Sequence, residues 1–117
     1  MDIESIRMYC ISKKAVIECM PFDDKTLVFK VVGKIFALAA LDVHPLRINL
    51  KCDPEKAIDL RERFESVQPG YHSNKKHWNT IEVNGEINKE VLYELIDDSY
   101  NLVIAKLTKK VRENNLL

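Results

Sequence analysis

The chain has 117 residues, a length typical of one compact domain, and we expect a single domain over residues 1–117. Hydrophobic residues make up 46% and charged residues 31% of the sequence, which excludes a disordered chain. The 18 basic residues balance the 18 acidic residues, so any contact with nucleic acid would require a local patch of positive charge.

The sequence favours a cytoplasmic location. The first residues lack the apolar segment of a signal peptide, and no apolar run approaches the roughly 20 residues that span a bilayer. The three cysteines, Cys10, Cys19 and Cys52, lie far apart and show no C-x-x-C spacing. This pattern predicts reduced thiols that pack as small apolar side chains.

The N-terminal region predicts a helix followed by a short strand. Asp2 can cap a helix that runs to about Ser12, because apolar residues recur there at three- and four-residue spacing. Residues 15–20 form a strand candidate that ends at Pro21.

Three further strands are predicted in the first half of the chain. Apolar alternation begins at Thr26, and Gly33-Lys34 fits a two-residue hairpin turn with glycine at its first central position. Residues 35–41 are apolar on both faces and predict a central strand covered on both sides. Residues 47–52 alternate between apolar and polar side chains, which predicts a half-buried strand. The side chains that this strand turns outward are Arg47, Asn49 and Lys51.

The second half predicts two helices with one strand between them. Asp53 caps a helix that is broken at residues 68–70, and residues 79–83 form a strand. Asn88 caps a long last helix whose final turns contain Lys106, Lys109, Lys110 and Arg112. The order of elements indicates an α+β domain with a mainly antiparallel sheet and helices at the N-terminus, middle and C-terminus.

The segment from Tyr71 to Trp78 concentrates side chains suited to ligand binding. Its eight residues include two histidines, two lysines, an asparagine, a tyrosine and a tryptophan. Lysine and asparagine can hold phosphates, and aromatic faces can stack on bases. The alternative is a structured loop with solvated lysines and with aromatic rings that plug the edge of the core. The candidate binding residues are Arg47, Asn49, Lys51, Tyr71, His72, Asn74, Lys75, Lys76, His77 and Trp78.

The residues give little support to an enzyme or a metal site. No glycine-rich phosphate loop and no G-x-S-x-G nucleophile occurs, and neighbouring Asp97 and Asp98 would point about 100° apart on a helix. His72 and His77 lie five residues apart in a loop, with no carboxylate or cysteine between them, which is not a ligand spacing. We therefore expect no enzymatic activity, no catalytic residue, no bound metal and no cofactor.

The sequence resembles the MmcQ/YjbR family over nearly its whole length. The most specific match is the run P-G-Y-H-x-N-K-x-H-W-N-T. The matching segments are residues 26–31, 33–38, 48–54, 69–80 and 95–100. The resemblance implies small cytoplasmic proteins with a double-wing α+β fold similar to that of bacterial type III secretion chaperones. It also implies DNA binding, by analogy with the DNA-binding domain of a phage transcription factor.

We therefore expect a non-enzymatic DNA-binding module that uses the surface of residues 47–52 and 69–80. The alternative is a module that binds another protein or a small anionic ligand, as the likeness to secretion chaperones suggests; no membrane partner is expected. Lys51, Lys75 and Lys76 are expected to share one face, with Trp78 at its edge. Because the net charge is zero, non-specific affinity for DNA should be weak.

Overall fold

The computed structural model describes residues 2–70 and 74–117 and confirms the α+β class with an antiparallel sheet. In chain order the elements are α1 (Ile3–Ile11), β1 (Val16–Cys19), β2 (Thr26–Val31), β3 (Lys34–Ala40), β4 (Arg47–Lys51), α2 (Pro54–Arg63), β5 (Val67–Pro69), β6 (Trp78–Glu82), α3 (Lys89–Ala105) and α4 (Lys109–Asn114). Asp2, Asp53 and Asn88 cap the first three helices, as their sequence positions predict.

The strands form one sheet in the order β1-β2-β3-β4-β6-β5, and each neighbouring pair is antiparallel. The helices α1, α2 and α3 pack on one face of this sheet. A cross-strand row on that face is almost fully buried, because directly paired residues turn their side chains to the same side. The row consists of Phe29, Ala37, Leu50 and Asn79.

The opposite face of the sheet, which we call the open face, carries the alternate residues of each strand. The expectation that residues 35–41 are covered on both sides is wrong, because Leu38 and Ala40 are only half-buried there. The strand is central, but α1–α3 shield only its other face. Val28 of β2, which pairs directly with Leu38, is nevertheless fully buried on the open face.

The hairpin between β2 and β3 turns at Val32-Gly33, one residue earlier than the sequence predicts. Val31 pairs with Lys34, and the φ angles of Val32 and Gly33 are +49° and +77°. Positive φ at both central residues defines a type I′ turn, whose twist matches the flanking strands. Glycine therefore takes the second central position, and Lys34 becomes the first residue of β3.

Two helix ends also differ from the sequence prediction. The middle helix ends at Arg63, because the Glu86 carboxylate accepts hydrogen bonds from the Ser66 backbone N–H (2.8 Å) and hydroxyl (2.5 Å). These bonds hold the segment before β5 beside the end of β6. The long last helix is divided, since Thr108 caps a separate α4.

A buried serine joins α3 to the sheet. The Ser99 hydroxyl donates a hydrogen bond to the Phe36 carbonyl (2.6 Å) and accepts one from the Lys51 backbone N–H (2.9 Å). The β2–β3 register shifts beside Phe36, whose ring packs edge-on against Tyr100 of α3 at 5.3 Å between centroids. Ser99 therefore bridges β3 and β4 at the point where their own pairing stops at Ala37.

Replacing Ser99 by alanine should lower the free energy of unfolding by about 1–3 kcal/mol, because two buried backbone groups lose their partner. Urea unfolding of Ser99→Ala measures this loss. Asn101→Ala, an exposed position on the same helix, is the matched control and should change stability by less than about 0.5 kcal/mol. Equal losses for both variants would contradict the bridging role.

The apolar stripe of α3 yields a second stability prediction. Leu95 is 5% exposed in the core, whereas Leu102, seven residues later on the same helix, is half-buried beside a cleft. Leu95→Ala should therefore lower the free energy of unfolding by about 2–5 kcal/mol. Ile58→Ala, at an exposed position on α2, serves as the control. A loss below about 1 kcal/mol for Leu95→Ala would show that this contact is not part of the core.

Candidate functional site

Antiparallel pairing gathers several segments at one end of the sheet. β3 begins at Lys34, β4 ends at Lys51 and β6 begins at Trp78, so these three residues lie at the same end. We call it the hairpin end, because the β2–β3 turn also lies there. Lys51 and Trp78 are direct partners across β4 and β6, and the loop that joins β5 to β6 arrives at this end.

A cavity of about 310 Å³ opens at the hairpin end beside the last turn of α3. Its polar lining consists of lysines, and its apolar lining comes from β3 and α3. The residues around it are Lys34, Ile35, Lys51, Val103, Lys106 and Leu107. Among the described residues, none that lines the cavity is a carboxylate, so the cavity has a positive field with apolar walls.

The charges around this cavity have no carboxylate partner in the described part of the chain. Burial, and then the nearby Lys106 ammonium group, lower the pKa of Lys51. Across residues 2–70 and 74–117, no carboxylate lies within ion-pair distance of Lys34, Lys51 or Lys106. An anion at this position would meet three positive charges that have no competing partner.

Other lysines close to α3 are neutralised. Lys13 forms an ion pair with Asp97, which also accepts a hydrogen bond from the Tyr9 hydroxyl (2.6 Å). Lys56 pairs with Asp98 at 2.5 Å. Asp97 thus contacts Tyr9 of α1 and Lys13 just after that helix, whereas Asp98 contacts Lys56 of α2. Neither carboxylate lines the cavity at the hairpin end.

A second cleft, of about 360 Å³, lies between α2 and α3 and is lined in part by the Lys56–Asp98 pair. The hydrogen bond that Lys56 donates to the Asp98 carboxylate raises the pKa of Lys56, so this pair stays charged and mutually compensated. Burial raises the pKa of the Cys52 thiol at the base of the cleft. The thiol is therefore protonated at neutral pH and is a poor nucleophile.

The described part of the β5–β6 loop is held by its own backbone. The N–H groups of His77 and Trp78 donate to the Asn74 carbonyl at 3.0 and 2.9 Å. The Asn74 side chain accepts a hydrogen bond from the Lys76 N–H at 3.0 Å. Asn74, one of the predicted binding residues, therefore shapes the loop with its side-chain oxygen.

Arg61 of α2 fixes the same loop from outside. Its guanidinium group donates to the Asn79 side chain (2.7 Å) and to the carbonyls of Lys75 and Trp78. Gly70 closes the base of the loop, since a Cβ at this position would lie 2.9 Å from the Trp78 Cβ. The backbone under the two loop lysines is thus positioned by hydrogen bonds to main-chain groups.

The structure separates the three outward residues of β4. Lys51 lies at the hairpin end, whereas Arg47 is the direct partner of Glu82 at the other end of the strand, about 13 Å away at the usual rise per residue. Arg47 therefore does not join the lysines, in contrast to the predicted common surface. Asn49 lies between them, and its side-chain oxygen accepts a hydrogen bond from the Thr80 hydroxyl.

The remaining predicted site residues differ in their exposure to solvent. Lys75 and Lys76 are exposed on the loop. His77 is half-buried, and its carbonyl accepts a hydrogen bond from the Cys52 N–H at 2.7 Å. Tyr71 and His72 lie outside the described residues.

Sequence reasoning missed Lys34 and Lys106 as site residues. It placed Lys34 in the hairpin turn and treated Lys106 only as a cation near the negative end of a helix. The signal that could have found them is topological: in an antiparallel sheet the start of β3 lies beside the end of β4.

Among the described residues, no group of three or more histidine, cysteine, aspartate or glutamate side chains could hold a metal ion. The helices in this part of the chain also lack the length and apolar character that crossing a membrane requires.

Comparison with known proteins identifies relatives along most of the chain. The YjbR family model matches residues 11–102. The protein YbdF of Escherichia coli O157:H7 is 44% identical over 92 residues, which cover 79% of this chain and 75% of that protein. The protein YjbR of Escherichia coli strain K12 is 30% identical over 113 residues, which cover 97% of this chain and 96% of that protein.

Solved structures show the same fold. The crystal structure of a Deinococcus radiodurans protein with a DUF419 domain is 42% identical and superimposes with a TM-score of 0.93, covering 98% of this chain and 88% of that one. A protein from Pseudomonas syringae is 27% identical with a TM-score of 0.76, covering 87% and 98% of the two chains. On the family match and these relatives, the chain belongs to the YjbR family.

Proposed function

We propose that the protein is a cytoplasmic, non-enzymatic binding module that holds the phosphate backbone of DNA at the hairpin end of its sheet. The observation that carries this proposal is the cluster of Lys34, Lys51 and Lys106, which has no carboxylate partner among the described residues. Lys75 and Lys76 are exposed on the loop that arrives at this end of the sheet, and in this proposal they extend the positive surface. In this arrangement the β2–β3 hairpin acts as a wing that lies against the phosphate backbone of DNA.

The opposite end of the sheet supports the same orientation, because its carboxylates outnumber its cations, which are Lys25, Arg47 and Lys89. The carboxylates lie in the β1–β2 turn, after β3 and at or just beyond the end of β6, at Asp23, Asp24, Asp42, Glu82 and Glu86. A neutral protein with one positive and one negative end would be turned by the field of DNA so that the hairpin end approaches first. The zero net charge therefore lowers the affinity for DNA, but the separated charges still orient the protein as it approaches DNA.

Lysine contacts to phosphate read no base, so this binding is nearly independent of sequence. Trp78 lies beside Lys51 in the first position of β6 and is half-buried. Its role in this proposal is to flank the phosphate-binding lysines.

Replacing Lys75 and Lys76 together by alanine should flatten the slope of log K against log [salt] by up to about 2, since each phosphate contact releases about one counterion. Fluorescence anisotropy of a short labelled duplex, measured from low to moderate salt, gives this slope. The control is Lys25→Ala with Lys89→Ala, which makes the same charge change at the opposite end. If both double variants match the unmodified protein in affinity and slope, DNA does not bind this loop.

A second candidate function, protein binding, is favoured by the open face near β1. Four large apolar side chains are exposed there or in the adjoining turns: Ile17 (59%), Met20 (40%), Phe22 (64%) and Leu41 (37%). Exposed apolar patches on a folded protein mark protein–protein contacts, among other binding sites.

Self-association is the form of protein binding that the purified chain can test directly. If the open face pairs two copies, sedimentation should show a dimer that persists at high salt, because apolar burial is not screened by ions. Ile17→Lys should dissociate that dimer without changing the salt slope for DNA. A chain that sediments as a monomer at all concentrations would exclude the homodimer.

A further inference from the structure

We propose that the cavity at the hairpin end binds a phosphate monoester that carries a compact apolar substituent. The three lysines would hold the phosphate group, and the apolar wall formed by Ile35, Val103 and Leu107 would receive the substituent. This inference goes beyond binding of the DNA backbone, because it concerns a dianion that enters a cavity and not a chain of diesters that lies on a surface. It holds whether or not the loop lysines contact DNA.

The charge of the cavity selects a multivalent anion. Three lysines line one space of about 310 Å³. Burial and then the nearby Lys106 lower the pKa of Lys51, and no carboxylate is among the causes of this shift. A phosphate monoester carries close to two negative charges at pH 7, because its second pKa is about 6. It can therefore compensate two of the three lysines, whereas a sulfonate, a carboxylate or a phosphodiester compensates one.

The size and walls of the cavity restrict the rest of the ligand. Its volume lies at the lower limit of about 300–1,000 Å³ that small-molecule pockets span. Val103 in the last turn of α3 and Leu107 just after this helix form one side, and Ile35 of β3 forms another side. An aliphatic group of about four carbons fits this space, and each buried methylene should tighten binding about fourfold.

The backbone beneath the lysines is already fixed. The Lys51 N–H bonds to the Ser99 hydroxyl of α3, and the Lys106 N–H closes the end of α3 on the Val103 carbonyl at 3.2 Å. Lys34 follows directly on the type I′ turn and pairs with Val31. Little backbone ordering is therefore required when an anion binds, which favours affinity.

Trp78 provides the readout. It is the single tryptophan of the chain and the direct cross-strand partner of Lys51. The protein is therefore titrated with three probes while its tryptophan fluorescence is recorded. The probes are n-butyl phosphate, inorganic phosphate, which lacks the butyl group, and butanesulfonate, which has the butyl group but only one negative charge. Isothermal titration calorimetry of the same three probes serves as a second measurement that does not depend on the indole. We expect n-butyl phosphate to bind most tightly, by about tenfold or more over each of the other two.

Lys106→Met should weaken n-butyl phosphate about tenfold, because it removes one charged hydrogen-bond donor and keeps the aliphatic stem. The matched control is Lys110→Met, an exposed lysine of α4 that does not line the cavity, and it should bind like the unmodified protein. Thermal unfolding of both variants checks that neither is destabilised.

A phosphate monoester also occurs at the 5′ end of a nucleic acid strand. Short oligonucleotides with a 5′-phosphate or a 5′-hydroxyl, added as competitors of n-butyl phosphate, distinguish this source from a free small molecule. Selective displacement by the 5′-phosphate form assigns the cavity to strand ends, and no displacement assigns it to the free monoester.

The absence of saturable n-butyl phosphate binding, equal affinity for butanesulfonate, or equal losses in Lys106→Met and Lys110→Met would each overturn the cavity site. If that happens while Lys75→Ala with Lys76→Ala still flattens the salt slope for DNA, the proposed DNA-binding function survives without the cavity. If n-butyl phosphate binds but Lys75→Ala with Lys76→Ala leaves the salt slope for DNA unchanged, the cavity site stands and DNA binding by the loop is excluded.

Discussion

The hydroxyl group of Ser99 is the interaction on which the hairpin end depends. It replaces a direct hydrogen bond between Phe36 and Lys51, so that β3 and β4 are joined there through α3 and not to each other. α3 continues for six residues beyond Ser99 to its last residue, Ala105, and Lys106 follows, about 10 Å past the bridge. The cavity occupies the space between the end of the strands and this extension of the helix.

The pairing of charges explains why the positive surface is local in a neutral protein. Lysines on the helical side, such as Lys13 and Lys56, meet consecutive carboxylates of α3. The consecutive positions of Asp97 and Asp98 send them toward different helices, as the angle between neighbouring residues on a helix requires. Lys34, Lys51 and Lys106 at the hairpin end have no carboxylate partner among the described residues, so their positive field can attract an anion.

Local patterns were enough to predict the fold class, most strands, the helix caps and the outward direction of Lys51. These features depend on side-chain alternation and capping, which act over a few residues. The membership of Lys34 and Lys106 in the site depends on strand register and on how α3 crosses the sheet, which no local pattern contains. The turn at Val32-Gly33 was misplaced for a related reason, because the twist of the paired strands selects the type I′ geometry.

The two edges of the sheet are unequal. β5 has three residues, the last of them Pro69, which lacks an N–H to donate to another strand. β1 forms the other edge, with four residues and the exposed Ile17. A sheet that grows without limit needs two edges able to accept a neighbour, and this sheet offers one. Edge-to-edge association through β1 would therefore close after two copies and would not continue into a fibre.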